Sequence, residues 1–300
     1  MLLTGSICAL ATPFRSVDGA LDLDAFGRLV DAQLDGGTRA LVVAGSTGEA
    51  AALEDAEFSR LIECAVTRVA GRVPVLAGSG LPATAKTIAQ TQRAVAAGVD
   101  FALVVAPAYV RPTQEGMYRH FSEVAEHSGV PIVLYNVPTR TASDLRPETV
   151  ARLASHGNIV GIKEAVADEG RMRDLLALKG EAFAVLSGDD PTAARALLAG
   201  ADGVISVAAN VAPALFAQMC DACRRGDRGN ALALDQRLQA LYEALGVEPN
   251  PIPLKWALSR LGFGEAGLRL PLTVLNPGHH VAVADALARL GMVEGAATVG

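Results

Sequence analysis

The chain has 300 residues, of which 51% are hydrophobic and 19% charged, and carries a formal net charge of −6. That composition supplies a large buried core and excludes long disorder. The acidic balance excludes nucleic acid as the main partner, because phosphate binding needs a basic surface. Length alone leaves open one large barrel or two ordinary domains.

The N-terminal stretch MLLTGSICALATPF has no Lys or Arg before its apolar run and ends in Pro13, so it does not read as a signal peptide. No run reaches the roughly 18 to 20 uninterrupted apolar residues of a membrane span, and the chain is expected to be cytoplasmic, with no membrane partner. Cys8, Cys64, Cys220 and Cys223 are too few and scattered for a disulfide framework. Cys220 and Cys223 form a lone C-x-x-C without a second Cys/His pair at zinc spacing, so reduced, buried or half-buried thiols are expected and no metal.

Short β-branched apolar runs recur along the chain with helix-like segments between them. They lie at 6–10, 40–44, 73–77, 101–106, 130–135, 158–162, 182–187 and 202–207. Their apolar residues are continuous, as in parallel strands covered on both faces. Between them, Leu23, Phe26, Leu29, Val30 and Leu34 fall on one helical stripe of 22–35, and Phe58, Leu61, Ile62, Ala65 and Val69 on one of 55–69. Several segments stop at glycine, at Gly36-Gly37, Gly71, Gly98, Gly129 and Gly200, the usual left-handed helix stop. Eight β-then-α units predict a closed (β/α)₈ TIM barrel of the α/β class over 1–225. An open doubly wound sheet would favour a Gly-rich dinucleotide loop after the first strand, where the chain has CALATPF. Helical segments at 213–225, 230–245, 251–262 and 279–291 exceed what the last barrel helix needs, so 226–300 is expected to be a helical C-terminal extension packed on the barrel.

In such a barrel the chemistry sits where the strands end at their C-terminal side. Lys163, at the mouth end of IVGIK, must either pair or give up its charge, and a neutral amine is the nucleophile that attacks ketones. A structural ion pair is the alternative, although Glu164, its neighbour on a strand, points to the opposite face. Gly45-Ser46-Thr47-Gly48 is a glycine-flanked turn whose N–H groups and hydroxyls can grip a carboxylate, or simply a turn. Tyr135, on the neighbouring strand end, offers a hydroxyl for proton transfer, or a buried structural ring. Arg140 offers a fork for a second carboxylate, or an idle loop arginine.

With these residues assembled, the chain resembles the dihydrodipicolinate synthase family of Schiff-base aldolases over nearly its whole length. The matching stretches are GSICALATPF (5–14), GSTGEA (45–50), RPTQEG (111–116), YNVPTRT (135–141), GIKEA (161–165), LSGDD (186–190), GVISVAANVAP (203–213) and VEPNPIPLKWAL (247–258). The resemblance implies condensation of pyruvate with L-aspartate 4-semialdehyde to 4-hydroxy-tetrahydrodipicolinate, without a cofactor. It assigns the Schiff base to Lys163 and the proton relay to Tyr135, Ser46 and Tyr109. It gives the pyruvate carboxylate to Thr47 and Gly48, the pocket lining to Gly188 and Ile205, and the semialdehyde carboxylate to Arg140. Tyr109 is expected to cross a tight dimer interface, in a homotetramer built as a dimer of dimers.

Two departures stand out. Ser46 replaces the family's usual relay threonine and keeps the hydroxyl. Where regulated members hold feedback lysine, this chain has Ala50, Asp55, Phe58, Pro82, Lys86 and Ala108, with Lys86 in place of an acidic residue. Like charge there repels a lysine ligand, so insensitivity to L-lysine is expected. The competing readings are a pyruvate-dependent aldolase of a sugar acid, of the sialic acid or keto-deoxygluconate type, and a catalytically dead keto-acid sensor. The last is expected to have lost Lys163 or Tyr135.

Overall fold

Eight parallel strands close on themselves, each hydrogen-bonded to the next in sequence and β8 to β1. The computed structural model describes residues 2–293. In chain order the barrel runs β1 (Gly5–Ala9), α1 (Leu23–Asp35), β2 (Ala40–Val43), α2 (Asp55–Val69), β3 (Val75–Gly78), α3 (Thr84–Ala96), β4 (Phe101–Val105), α4 (Gln114–His127) and β5 (Ile132–Asn136). It continues with the one-turn α5 (Pro138–Thr141), α6 (Pro147–Leu153), β6 (Ile159–Glu164), α7 (Glu169–Leu176), β7 (Ala184–Ser187), α8 (Ala193–Leu198), β8 (Gly203–Ser206) and α9 (Pro213–Arg224). The chain is a (β/α)₈ TIM barrel, as its eight apolar runs predict.

Strand alternation divides the apolar residues into two layers. Ile7, Val42, Leu76, Leu103, Val133, Leu186 and Ile205 fill the barrel interior. Cys8, Leu41, Val75, Val104, Leu134, Val185 and Val204 point outward and pack beneath the helices. Strand bounds lie within two residues of those expected. β6 runs on to Glu164, so Lys163 is held within the hydrogen-bonded sheet. The glycine stops at Gly37, Gly71, Gly98, Gly129 and Gly200 are left-handed, whereas Gly36 is right-handed, with its amide bonded to Ala32 and Leu34.

Three further helices, α10 (Arg228–Leu245), α11 (Ile252–Arg260) and α12 (His280–Arg289), follow the barrel. Ala231, Leu234, Leu238, Leu241 and Leu258 belong to the same buried cluster as the outer layer of the barrel, so these helices share its core. Residues 294–300 of the expected extension lie outside the described residues. All four cysteines are free, three buried and Cys64 half-buried. No helix among the described residues is long and apolar enough to cross a membrane.

Candidate active site

The direction of Lys163 depends on an irregularity in β6. Between β5 and β6 the register slips, with Ile132 opposite Ile159 but Val133 opposite Gly161. Ile159 and Ile162 consequently both face the outer layer, three residues apart, where strict alternation requires an even spacing. The extra residue reverses the parity of the strand and turns Lys163 into the barrel interior, an effect typical of bulges beside functional sites. Lys163 then stands directly opposite Tyr135 on β5 and Leu186 on β7.

The lysine is 6% exposed, and its Nζ lies 4.3 Å from the centroid of the Tyr135 ring. Among the described residues no carboxylate lies within ion-pair distance of it. Glu164, one residue on, faces the opposite side and accepts a bond from Arg171 Nε at 2.7 Å, with Asn136 Nδ2 at 3.1 Å. Burial pushes the Glu164 carboxyl up, against the pull of Arg171. The ion-pair alternative for Lys163 with Glu164 is thereby excluded by strand parity.

Gly188, after β7, packs on the lysine itself. A methyl group there would sit 2.8 Å from Lys163 Cε and 2.9 Å from Cγ, so only glycine leaves room for the side chain. Ile205 is buried in the interior layer from β8. Asp190, two residues beyond Gly188, accepts from the Val207 and Ala208 amides at 3.0 and 2.8 Å and fixes the turn after β8. Burial raises its carboxyl, against hydrogen bonds from Ser206 and those two amides.

The turn after β2 is held from behind. Thr12 donates to the Gly48 carbonyl at 2.7 Å. Glu49, buried in a left-handed conformation (φ 53°), accepts from Lys255 Nζ at 2.5 Å. Thr47 is buried and its Oγ1 accepts from Asn250 Nδ2 at 3.0 Å, while Ser46 at the tip is exposed. On α5, Arg140 is exposed and donates to the Asn250 carbonyl at 3.0 Å, and no carboxylate among the described residues pairs with it. Tyr109 is 90% exposed at φ 72°, a left-handed backbone that costs energy in a bulky residue. Its amide donates to Thr141 at 3.0 Å, so the turn that projects it is anchored to α5. A cluster of Glu123, Glu126 and His127 on the exposed face of α4 includes none of these residues.

The sequence model of the dihydrodipicolinate synthetase family matches residues 2–290. The chain belongs to that family. It is 58% identical to the 4-hydroxy-tetrahydrodipicolinate synthase of Stenotrophomonas maltophilia (strain K279a), over 96% of each chain. A chloride-inhibited dihydrodipicolinate synthase from Acinetobacter baumannii, complexed with pyruvate, is 40% identical, with a TM-score of 0.94 over 97% of this chain and 99% of that one. The Cyanidioschyzon merolae enzyme with lysine bound is 33% identical, with a TM-score of 0.93 over 98% and 100%.

As a dihydrodipicolinate synthetase family member, the chain is an enzyme, a lyase. Lys163 and Tyr135 meet across β5 and β6, with Gly188 against Lys163; Thr47 and Arg140 meet through Asn250; and Ser46 and Tyr109 face outward. Residue-by-residue reading assigned no role to Asn250, Lys255 or Asp190. Asn250 and Lys255 do lie in VEPNPIPLKWAL and Asp190 in LSGDD, strings whose family match was the available signal.

Proposed function

We propose that the enzyme condenses pyruvate with L-aspartate 4-semialdehyde to 4-hydroxy-tetrahydrodipicolinate, in lysine and diaminopimelate biosynthesis, through a Schiff base on Lys163. The observation that carries this reading is the buried Lys163 amine, free of any carboxylate among the described residues and seated against Tyr135. In its neutral form that amine adds to C2 of pyruvate, and the carbinolamine loses water to give an iminium. Loss of a C3 proton gives the enamine, whose C3 attacks the aldehyde carbon as the aldehyde oxygen takes up a proton. The semialdehyde's own amine then adds to C2 and expels Lys163, closing the ring with one water released overall.

Thr47 and Gly48 take the pyruvate carboxylate, and Gly188 and Ile205 shape the pocket. Arg140 takes the semialdehyde carboxylate with the donors its single bond to Asn250 leaves free. Tyr135, Ser46 and Tyr109 relay protons. The outward, left-handed Tyr109 supports its contribution to a second subunit's site, within a homotetramer arranged as a dimer of dimers in the cytoplasm. Borohydride reduction in the presence of pyruvate, followed by mass mapping, is expected to tag Lys163. Product analysis with aspartate semialdehyde against sialic acid and keto-deoxygluconate tests the second substrate. A tag on another residue, or turnover of a sugar acid alone, sinks the corresponding half.

The enzyme is insensitive to L-lysine. Lys86 is exposed and carries a like charge, Asp55 is engaged with Arg93 at 2.6 Å, and Phe58 is buried in the core, which together disfavour a lysine ammonium at those positions. Inhibition of the purified enzyme by millimolar L-lysine is the result that excludes this.

A further inference from the structure

Thr47 has one hydroxyl proton. Its oxygen already accepts from Asn250 Nδ2 at 3.0 Å, so the Thr47 proton is directed away from Asn250 and is free for a ligand. The same residue's main-chain oxygen receives the Arg140 guanidinium at 3.0 Å. One residue of the segment between α10 and α11 therefore touches both polar groups of the site, across 203 residues from one and 110 from the other. Asn250 Oδ1 is buried and has no hydrogen-bond partner among the described residues. A buried acceptor left alone is a cost that a fold without use for that amide would shed. Among the described residues, the only partner its side chain has is Thr47.

We propose that Asn250 is a positioning residue whose side-chain amide sets the Thr47 hydroxyl to donate to the keto-acid carboxylate. This rests on the assignment of Thr47 to that carboxylate under Proposed function. The amide contributes nothing to the covalent steps, so its effect belongs in ground-state binding of pyruvate, where KM moves and kcat does not. The Arg140 contact is to the main chain and survives a side-chain substitution, which makes the semialdehyde an internal control.

Asn250→Ala removes the donor and lets the Thr47 hydroxyl rotate. Loss of one well-placed neutral hydrogen bond corresponds to a rise in KM of up to about tenfold. Asn250→Asp preserves the shape but presents only acceptors. Thr47 then turns its proton toward the aspartate, and KM for pyruvate rises further than in the alanine variant. In both, kcat and KM for aspartate semialdehyde are expected to stay within about twofold of the parent enzyme.

Thr47→Val and the double variant Thr47→Val/Asn250→Ala complete the experiment. If Asn250 acts through Thr47, the double variant has the pyruvate KM of Thr47→Val alone, because the amide has nothing left to orient. A Thr47→Val enzyme with unchanged pyruvate KM removes the carboxylate assignment itself. A raised KM in Thr47→Val beside normal values in both Asn250 variants leaves that assignment standing and overturns the role of Asn250. Additive effects, or a fall in kcat with both KM values rising together, make Asn250 a general prop of the fold and also overturn the proposal.

Discussion

Two lysines are buried in the described structure, and they differ in one respect. Lys163 is 6% exposed over the Tyr135 ring at 4.3 Å, and Lys255 is 2% exposed over the Phe14 ring at 4.2 Å. Lys255 donates to Glu49 at 2.5 Å, and Glu49 also accepts from the Arg269 amide at 3.2 Å. Burial pulls the Lys255 amine down to about 8, against the opposing pull of Glu49. An aromatic face is thus common to both amines, and the carboxylate is what separates the strut at Lys255 from the nucleophile proposed at Lys163. Lys255 fixes the left-handed Glu49 at the foot of the turn that bears Thr47. Lys163 has no such partner among the described residues, because the bulge in β6 turns it away from the outer layer, where Glu164 pairs with Arg171.

The comparison breaks most sharply when each lysine is removed. Lys163→Ala is expected to lower turnover by about 10³-fold or more while leaving the unfolding midpoint close to the parent value. Lys255→Met strands Glu49 as a buried charge, which costs about 3–5 kcal/mol of stability. It should still form the borohydride-trapped adduct at Lys163 below its own melting temperature. Urea unfolding beside adduct mapping checks both. If Lys255→Met folds as stably as the parent, or if Lys163→Ala retains turnover, the division of labour is wrong.

A smaller perturbation displaces Lys163 without removing it. Gly188→Ala places a methyl group within 2.8 Å of Lys163 Cε, and one of the two must move. Misplacing a reacting atom by about 1 Å costs about 10²-fold, so kcat/KM for pyruvate is expected to fall by that order. The side chain is flexible, so stability should change little. Normal kcat/KM in Gly188→Ala means that the amine reaches pyruvate from another rotamer.

The difference between these lysines also marks what the sequence disclosed. The eight apolar runs carried the barrel because each buried strand is locally apolar and each helix locally periodic. Tyr135 and Lys163 were legible as neighbours because consecutive strands of a parallel barrel lie side by side. The parity of Lys163 was not, since a single extra residue in β6 leaves no trace in the apolar pattern. The partners of Glu49 and Thr47 were hidden for another reason. Lys255 is 206 residues from Glu49 and Asn250 is 203 from Thr47, so neither contact has a local period or spacing. Arg269, which bonds Glu57 through both terminal nitrogens and caps the Gly19 and Ala52 carbonyls, lies equally far from its partners. Family strings marked where Asn250 and Lys255 sit, said nothing of what they touch, and did not reach Arg269.

His120 extends the comparison to a buried base with no counter-charge. It lies on α4, 5% exposed, with Nδ1 sharing a hydrogen bond with the Thr84 hydroxyl of α3 at 3.0 Å. Burial alone pulls its imidazole down from 6.5 to about 4. Between pH 6.5 and 4 the unfolded chain binds a proton that the folded chain refuses, so stability falls as the solution is acidified through that window. The loss begins below the unfolded value, is complete below about 4, and amounts to about 3 kcal/mol. His120→Gln keeps a side-chain hydrogen-bonding group near Thr84 and cannot take up the proton. Its urea midpoint should therefore decline less than the parent's between pH 7 and pH 4.5, even if it starts lower at pH 7. Parallel declines in the two proteins would show that acid sensitivity resides elsewhere and that His120 is hydrated when charged. A smaller decline in the variant would show that burial without a carboxylate suppresses the charge of His120.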